Sequence, residues 1–192
     1  ALDQRAVYTF DDFLISRHHM YLMVYFHHKS IIYEEMLNRY LTSKDCTYRL
    51  QSDIEQYIRC TDYQLYEHLS GVSNPWAQRI AERRPYRMLF EMHAVSASKR
   101  PKLMNDELTK IGIDVIWAGS QTRLSKYHQM SAEEKARVIY VVDRNDPMQK
   151  PMPIEKVTGI FQKYEETRHI DRLYVAPDRY EEARNFIIKN RL

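Results

Sequence analysis

The sequence predicts an α+β fold, with an all-helical part over residues 1–84 followed by a small α/β subdomain of about four strands over residues 85–192. Three observations carry this. Neither glycine nor proline occurs between Ala1 and Ser70, and these two residues are the strongest interrupters of regular structure. The three glycines after Gly71 and five of the seven prolines lie beyond Pro85. Beyond that point, short runs rich in β-branched and aromatic residues alternate with helical stretches.

Taken in order, Thr9 is a suitable helix cap, with Asp11 and Asp12 in the first turn facing the positive helix end. A helix is predicted from about Phe10 past His28, continuing with a possible kink to about Leu41. After a polar break over 42–50, Ser52 or Asp53 caps a short helix carrying Ile54, Tyr57 and Ile58. Thr61 and Asp62 open another with Leu65, Tyr66 and Leu69, which Gly71 stops. Asn74-Pro75 places a cap before a proline at the first helical position, starting a helix through Trp76, Ile80 and Arg83. Strands are expected over Tyr86–Met92, Ile113–Ala118, Val138–Asp143 and Leu173–Ala176. Helices are expected over Asn105–Ile111, over Ile154–Glu166 and from about Asp178, the last turning Tyr180, Ala183, Phe186 and Ile187 inward. These strands and helices imply one small sheet with helices on one side.

Composition narrows the function classes. A formal charge of +3 from 29 basic and 26 acidic residues is too mild and too dispersed for a nucleic-acid partner to be expected. Fifteen tyrosines keep stacking on single-stranded bases open as a lesser reading. No apolar run approaches the length of a membrane span, so no membrane partner is expected. Cys46 and Cys60 show neither a secretory signal before them nor a CxxC spacing. They read as reduced thiols of a cytoplasmic protein. Ala1-Leu2-Asp3-Gln4 runs almost directly into a helix and has the look of a cut inside a larger protein.

One helix draws the chemistry. Projected at 100° per residue, Phe10, Phe13, Leu14, Arg17, Met20, Tyr21, Val24, His28 and Ile31 cluster about one line with Arg17 at its centre. A buried guanidinium requires a carboxylate, a phosphate or a wet cleft. One reading is an ion pair with Glu35 or another carboxylate, and the other is a phosphate. Tyr21 and Tyr25 follow at four-residue steps, giving a ladder suited to a triphosphate and its sugar. Ordinary aromatic core packing is the alternative. Of the eight histidines, at 18, 19, 27, 28, 68, 93, 128 and 169, none precedes an aspartate, and the paired ones lack the three- or four-residue spacing of helical metal ligands. The arginines 79, 83, 84 and 87 read as a solvated helix face or as an anion patch, and Ser131 to Glu134 as a capping box. Lys150-Pro151-Met152-Pro153 reads as a stiff connector.

The run Asp11-Asp12-Phe13-Leu14-Ile15-Ser16-Arg17-His18-His19-Met20-Tyr21-Leu22-Met23-Val24-Tyr25-Phe26-His27 resembles a helix of the HD-domain phosphohydrolases, deoxynucleoside triphosphate triphosphohydrolase-like subgroup, whose pattern is roughly FLIARxxMYxxVYFHK. Thr61 to Leu65 and Pro75 to Met88 resemble that family's next two helices. The resemblance covers residues 6–92 and loosens beyond. It implies a metal-dependent hydrolysis of a dNTP to deoxynucleoside and triphosphate, in a protein that commonly assembles as a homo-oligomer. It further implies that Arg17 contacts the triphosphate, that Tyr25 lies against the deoxyribose, and that Tyr21 and His27 support them. Phe26 departs from the family where its members carry the residue that separates deoxyribose from ribose. The divalent metal is implied for the intact protein only, because the family's His, His-Asp and Asp ligands precede this helix. The chain is therefore expected to bind no metal and to be inactive alone, a C-terminal portion of such an enzyme. The reading from a different class is a non-enzymatic nucleotide-binding or oligomerisation module that keeps the same helix.

Overall fold

The computed structural model describes residues 1–94, 98–122, 138–146, 148–160 and 168–192. Among them are seven α-helices and two three-stranded sheets, which makes the fold α+β as expected. The backbone packs as two compact units, one of residues 1–26, 93–97 and 120–170, the other of residues 27–92, 98–119 and 171–192.

In the first unit, a two-residue strand β1 (Leu2–Asp3) leads into a 3₁₀ turn over Gln4–Ala6, and helix α1 follows over Val7–Met20. The helix begins two residues before Thr9, and Ala6 at its cap offers no side-chain acceptor. The capping chemistry sits one turn earlier, where the Asp3 carboxylate accepts the Arg5 N–H at 3.0 Å. After α1 the chain widens into a π-helical turn over Tyr21–Tyr25, with the Phe26 N–H donating to the Tyr21 carbonyl at 2.8 Å. The helix predicted to reach Leu41 is thus interrupted. Strand β1 pairs in parallel with β4 (Tyr140–Val142), which pairs antiparallel with β5 (Met152–Pro153). The proline-flanked connector is therefore a short edge strand, where a missing N–H costs nothing in the ladder. Val7 and Leu14 of α1 pack with Val141 and Ile154 to form this unit's core. Of the helix expected over 154–166, a 3₁₀ turn over Ile154–Lys156 is observed and residues 161–167 lie outside those described. The expected capping box at 131–134 also lies outside them.

The second unit holds helices α2 (His28–Leu41), α3 (Ile54–Tyr57), α4 (Asp62–Gly71), α5 (Pro75–Ala81), α6 (Arg100–Lys110) and α7 (Tyr180–Asn190), and the greater part of strands β2 (Arg87–Ala94), β3 (Val115–Thr122) and β6 (Arg168–Val175). The caps read from sequence are in place: Asp53 accepts the Gln56 N–H, Thr61 the Gln64 N–H, and Asn74 both the Trp76 and Ala77 N–H groups. Helix α5 stops at Ala81, short of Arg83, whose φ of 56° is left-handed and ends the helix.

The sheet here has the order β2-β6-β3. Its two faces are both covered, which corrects the expectation of helices on one side. Val115, Leu173 and Val175 turn toward Met104 and Leu108 of α6 and Ala183 of α7. Ile116, Ala118 and Tyr174 turn the other way, onto Ile32 and Met36 of α2. A strand buried on both faces is apolar at successive positions, and Val115-Ile116 and Leu173-Tyr174-Val175 have that pattern. A third cluster, Tyr40, Cys46, Leu69 and Ala77, holds α2, α4 and α5 together. Both cysteines are free thiols.

Candidate functional site

The face of α1 that the sequence marked as buried is not the one the fold buries. Val7, Asp11, Leu14 and His18 line the inner face. At 100° per residue, Arg17 lies about 90° from the centre of that stripe. It is half-buried, at the flank of the helix. Phe13, Met20 and Val24, expected inside, are exposed. Two of the four inner residues are polar, so a reading by hydropathy favoured the wrong line.

The ladder nevertheless forms. The Arg17 guanidinium lies 5.2 Å from the centre of the Tyr21 ring, and that ring is 5.0 Å from the Tyr25 ring at an interplanar angle of 37°. The Phe26 ring lies 6.1 Å from that of Tyr21. Among the described residues Arg17 has no carboxylate within ion-pair distance, so the buried-ion-pair reading falls. Its planar cation rests on a phenol face with its N–H edge left for another acceptor. Tyr25 is 54 % exposed, so core packing does not explain it either. The π turn sets this arrangement: it inserts one residue per turn relative to an α-helix and swings Tyr25 off the inner stripe. Such turns are frequent where a helix carries a site.

In the second unit, His27 stands just ahead of α2 with extended backbone, and its Nδ1 accepts the Lys29 N–H at 3.3 Å. It is a helix cap, stacked on His28 with ring centres 4.5 Å apart. Burial pushes the His28 pKa down, and the neighbouring His27 and Arg172 act in the same direction. The Tyr174 hydroxyl donates to the His28 carbonyl at 2.9 Å, and burial raises the Tyr174 pKa to about 12.

Two buried polar groups had no sequence signal. Arg172, 4 % exposed, donates from Nε to Glu91 Oε2 at 2.5 Å. Asp11, read as a first-turn residue, is buried and accepts the Thr158 hydroxyl at 2.6 Å, across 147 positions of sequence. The arginines near Pro85 are engaged locally: Arg79 lies over the Tyr86 ring, Arg84 pairs with Glu82, and Arg87 lies 3.9 Å from the Tyr180 ring centre. That favours the solvated face over an anion patch.

A divalent metal needs several hard or borderline donors converging. Among the described residues no three His, Cys, Asp or Glu side chains come together in that way. The described residues thus offer no cluster that fits a catalytic metal. No helix among the described residues is long and apolar enough to cross a membrane.

The chain is similar in fold to a hypothetical protein from Aquifex aeolicus, with a TM-score of 0.73 at 19 % identity, over 95 % of this chain and 46 % of that one. It thus spans less than half the length of that protein. No curated protein matches the sequence. A family model described as an HD associated region matches residues 1–113, more than half of the 192. By that match, the chain belongs to the family of HD-associated regions, the partners in sequence of HD domains.

Proposed function

We propose that this chain is the HD-associated part of a metal-dependent, cytoplasmic phosphohydrolase that cleaves a dNTP to deoxynucleoside and triphosphate, with Arg17 as the triphosphate contact. The observation that carries the reading is the Arg17-Tyr21-Tyr25 ladder: a guanidinium without a carboxylate partner among the described residues, stacked on one half-buried phenol, with a second, exposed phenol beyond it. A guanidinium fork matches two phosphate oxygens, and a phenol face matches a sugar or base. Tyr21 fixes the guanidinium plane, Tyr25 offers the sugar-facing surface, and His27 holds the chain's exit from the π turn by capping α2. On this reading the metal ligands belong to the HD domain, and the chain alone is inactive.

The test is product analysis of the protein carrying both regions. One-step release of triphosphate is expected, and Arg17→Ala should lower kcat/KM by about 100-fold, the scale of a lost charge-assisted contact. Release of orthophosphate or pyrophosphate, or an unchanged kcat/KM, contradicts the proposal.

A second reading, a module that associates with its own copy, is favoured by one specific observation. Phe13, Met20, Met23 and Val24 form an exposed apolar group on α1 and the π turn, and such groups mark contact surfaces. A homo-oligomer by light scattering supports this reading, and a monomer at all concentrations counts against it.

A further inference from the structure

At the start of α1, a cleft of about 270 Å³ opens in the first unit, lined by Gln4, Val7, Tyr8, Asp11, Thr158 and Gly159 among others. Its floor is a carboxylate. Asp11 is only 6 % exposed, and its bonding is half complete: Oδ2 accepts the Thr158 hydroxyl, while the buried Oδ1 accepts no hydrogen bond among the described residues. Thr158 has nothing further to give, because its hydroxyl hydrogen is used on Asp11 and its oxygen accepts the Ile160 N–H at 3.3 Å.

Nearby cations do not complete Asp11. Arg5 and Arg144 both pair with Asp3, each at 3.3 Å, and no ion pair to Asp11 exists among the described residues. A buried carboxylate with one donor is a poor arrangement for stability alone. A buried acceptor left so calls for a further donor, from water or a bound ion.

The lining decides what that ligand is. Among the described residues the cleft wall carries a carboxylate, two hydroxyls and an amide but no basic side chain, a lining that favours a cation over an anion. A single carboxylate, with no three-donor cluster among the described residues, is too little for a divalent metal. Tyr8, 80 % exposed at the rim, presents an aromatic face of the kind that attracts organic cations. A side chain at Gly159 would meet nothing within 4 Å, so the mouth is open at that point. We infer that this cleft binds a small free organic cation through its guanidinium or ammonium group, with Asp11 accepting the N–H donors and Tyr8 covering the charge. The site is separate from Arg17 and does not depend on the function proposed for it.

The experiment is a two-dimensional amide NMR titration of the protein with methylguanidinium chloride, against sodium chloride at matched ionic strength. Saturable shifts of the Thr158 and Gly159 amides are expected with methylguanidinium alone. Asp11→Asn, which keeps the shape and removes the charge, should weaken binding by about tenfold or more. Tyr8→Ala, at an exposed position that the fold does not need, should weaken it by roughly threefold. Shifts that fail to saturate, or that survive unchanged in both variants, overturn the proposal. A parallel titration with N-acetylarginine methylamide separates the sources of the group: binding of this compound without binding of methylguanidinium would assign the cleft to a polypeptide side chain and overturn the free-cation assignment.

Discussion

At the scale of single residues, Arg17 and His28 make opposite uses of partial burial. Arg17 keeps a partner-free edge and rests on Tyr21. Because it is half-buried and unpaired, Arg17→Ala should change stability by less than about 1 kcal/mol, as for other surface positions, while affecting any phosphate contact strongly. Urea denaturation of the two proteins measures the first of these. Burial lowers the His28 pKa, and the neighbouring His27, Arg172 and Lys29 lower it further, with Glu91 opposing. Its folded pKa lies below the ordinary value of 6.5, so the unfolded chain takes up the proton first. The stabilisation is complete above about pH 6.5 and is lost as pH falls through the lowered folded value. Stability measured between pH 7 and pH 5 should drop, and His28→Gln should flatten that slope. A wild-type slope equal to the variant's would refute the assignment.

The reading of α1 from sequence failed at this same scale for a physical reason. The inner stripe holds Asp11 and His18, and the outer face holds Phe13 and Met20. Hydropathy therefore pointed about a quarter turn away from the true core line. The Arg17-Tyr21 rung survived the error because it follows from four-residue spacing along the helix, and the π turn sets Tyr25 beside it.

At the scale of elements, three helix starts were legible because an Asp, Thr or Asn side chain supplies the cap, whereas the His27 cap of α2 was not. Asp53, Thr61 and Asn74 each accept a backbone N–H in the first turn, and that chemistry is local in sequence. Asn74 satisfies two such donors and is itself buried. Asn74→Ala should destabilise the protein by about 1–2 kcal/mol, read from the midpoint of thermal or urea unfolding; a loss below a few tenths would show that α5 is held by packing alone. The π turn over Tyr21–Tyr25 had no such marker. Leu22 and Met23 are good helix formers, and neither proline nor glycine announces the break. The two-residue strands β1 and β5 escaped because pairs that short carry no periodicity. The double-faced burial of β3 and β6 was written in consecutive apolar residues, a pattern that an alternating template does not find.

At the scale of the whole molecule, each unit has its own core, and the larger one is stabilised from both sides of its sheet. Leu173 is fully buried between β6 and the helices α6 and α7. Leu173→Ala should cost about 2–5 kcal/mol and lower the unfolding midpoint accordingly; a loss under 1 kcal/mol would mean the cluster is not a stabilising core. Family membership and fold were within reach of the sequence, since the pattern around Arg17 and the HD-associated match cover the same stretch. The Asp11-Thr158 contact was not, because it joins residues 147 positions apart. Only a folded chain brings them together.

The central claim is that Arg17 is a phosphate contact, and titration calorimetry of this chain with a dNTP in the presence of a metal chelator tests it most directly. Saturable binding that weakens by about tenfold or more in Arg17→Ala is the predicted result. Absence of binding, or equal binding by the variant, would contradict it.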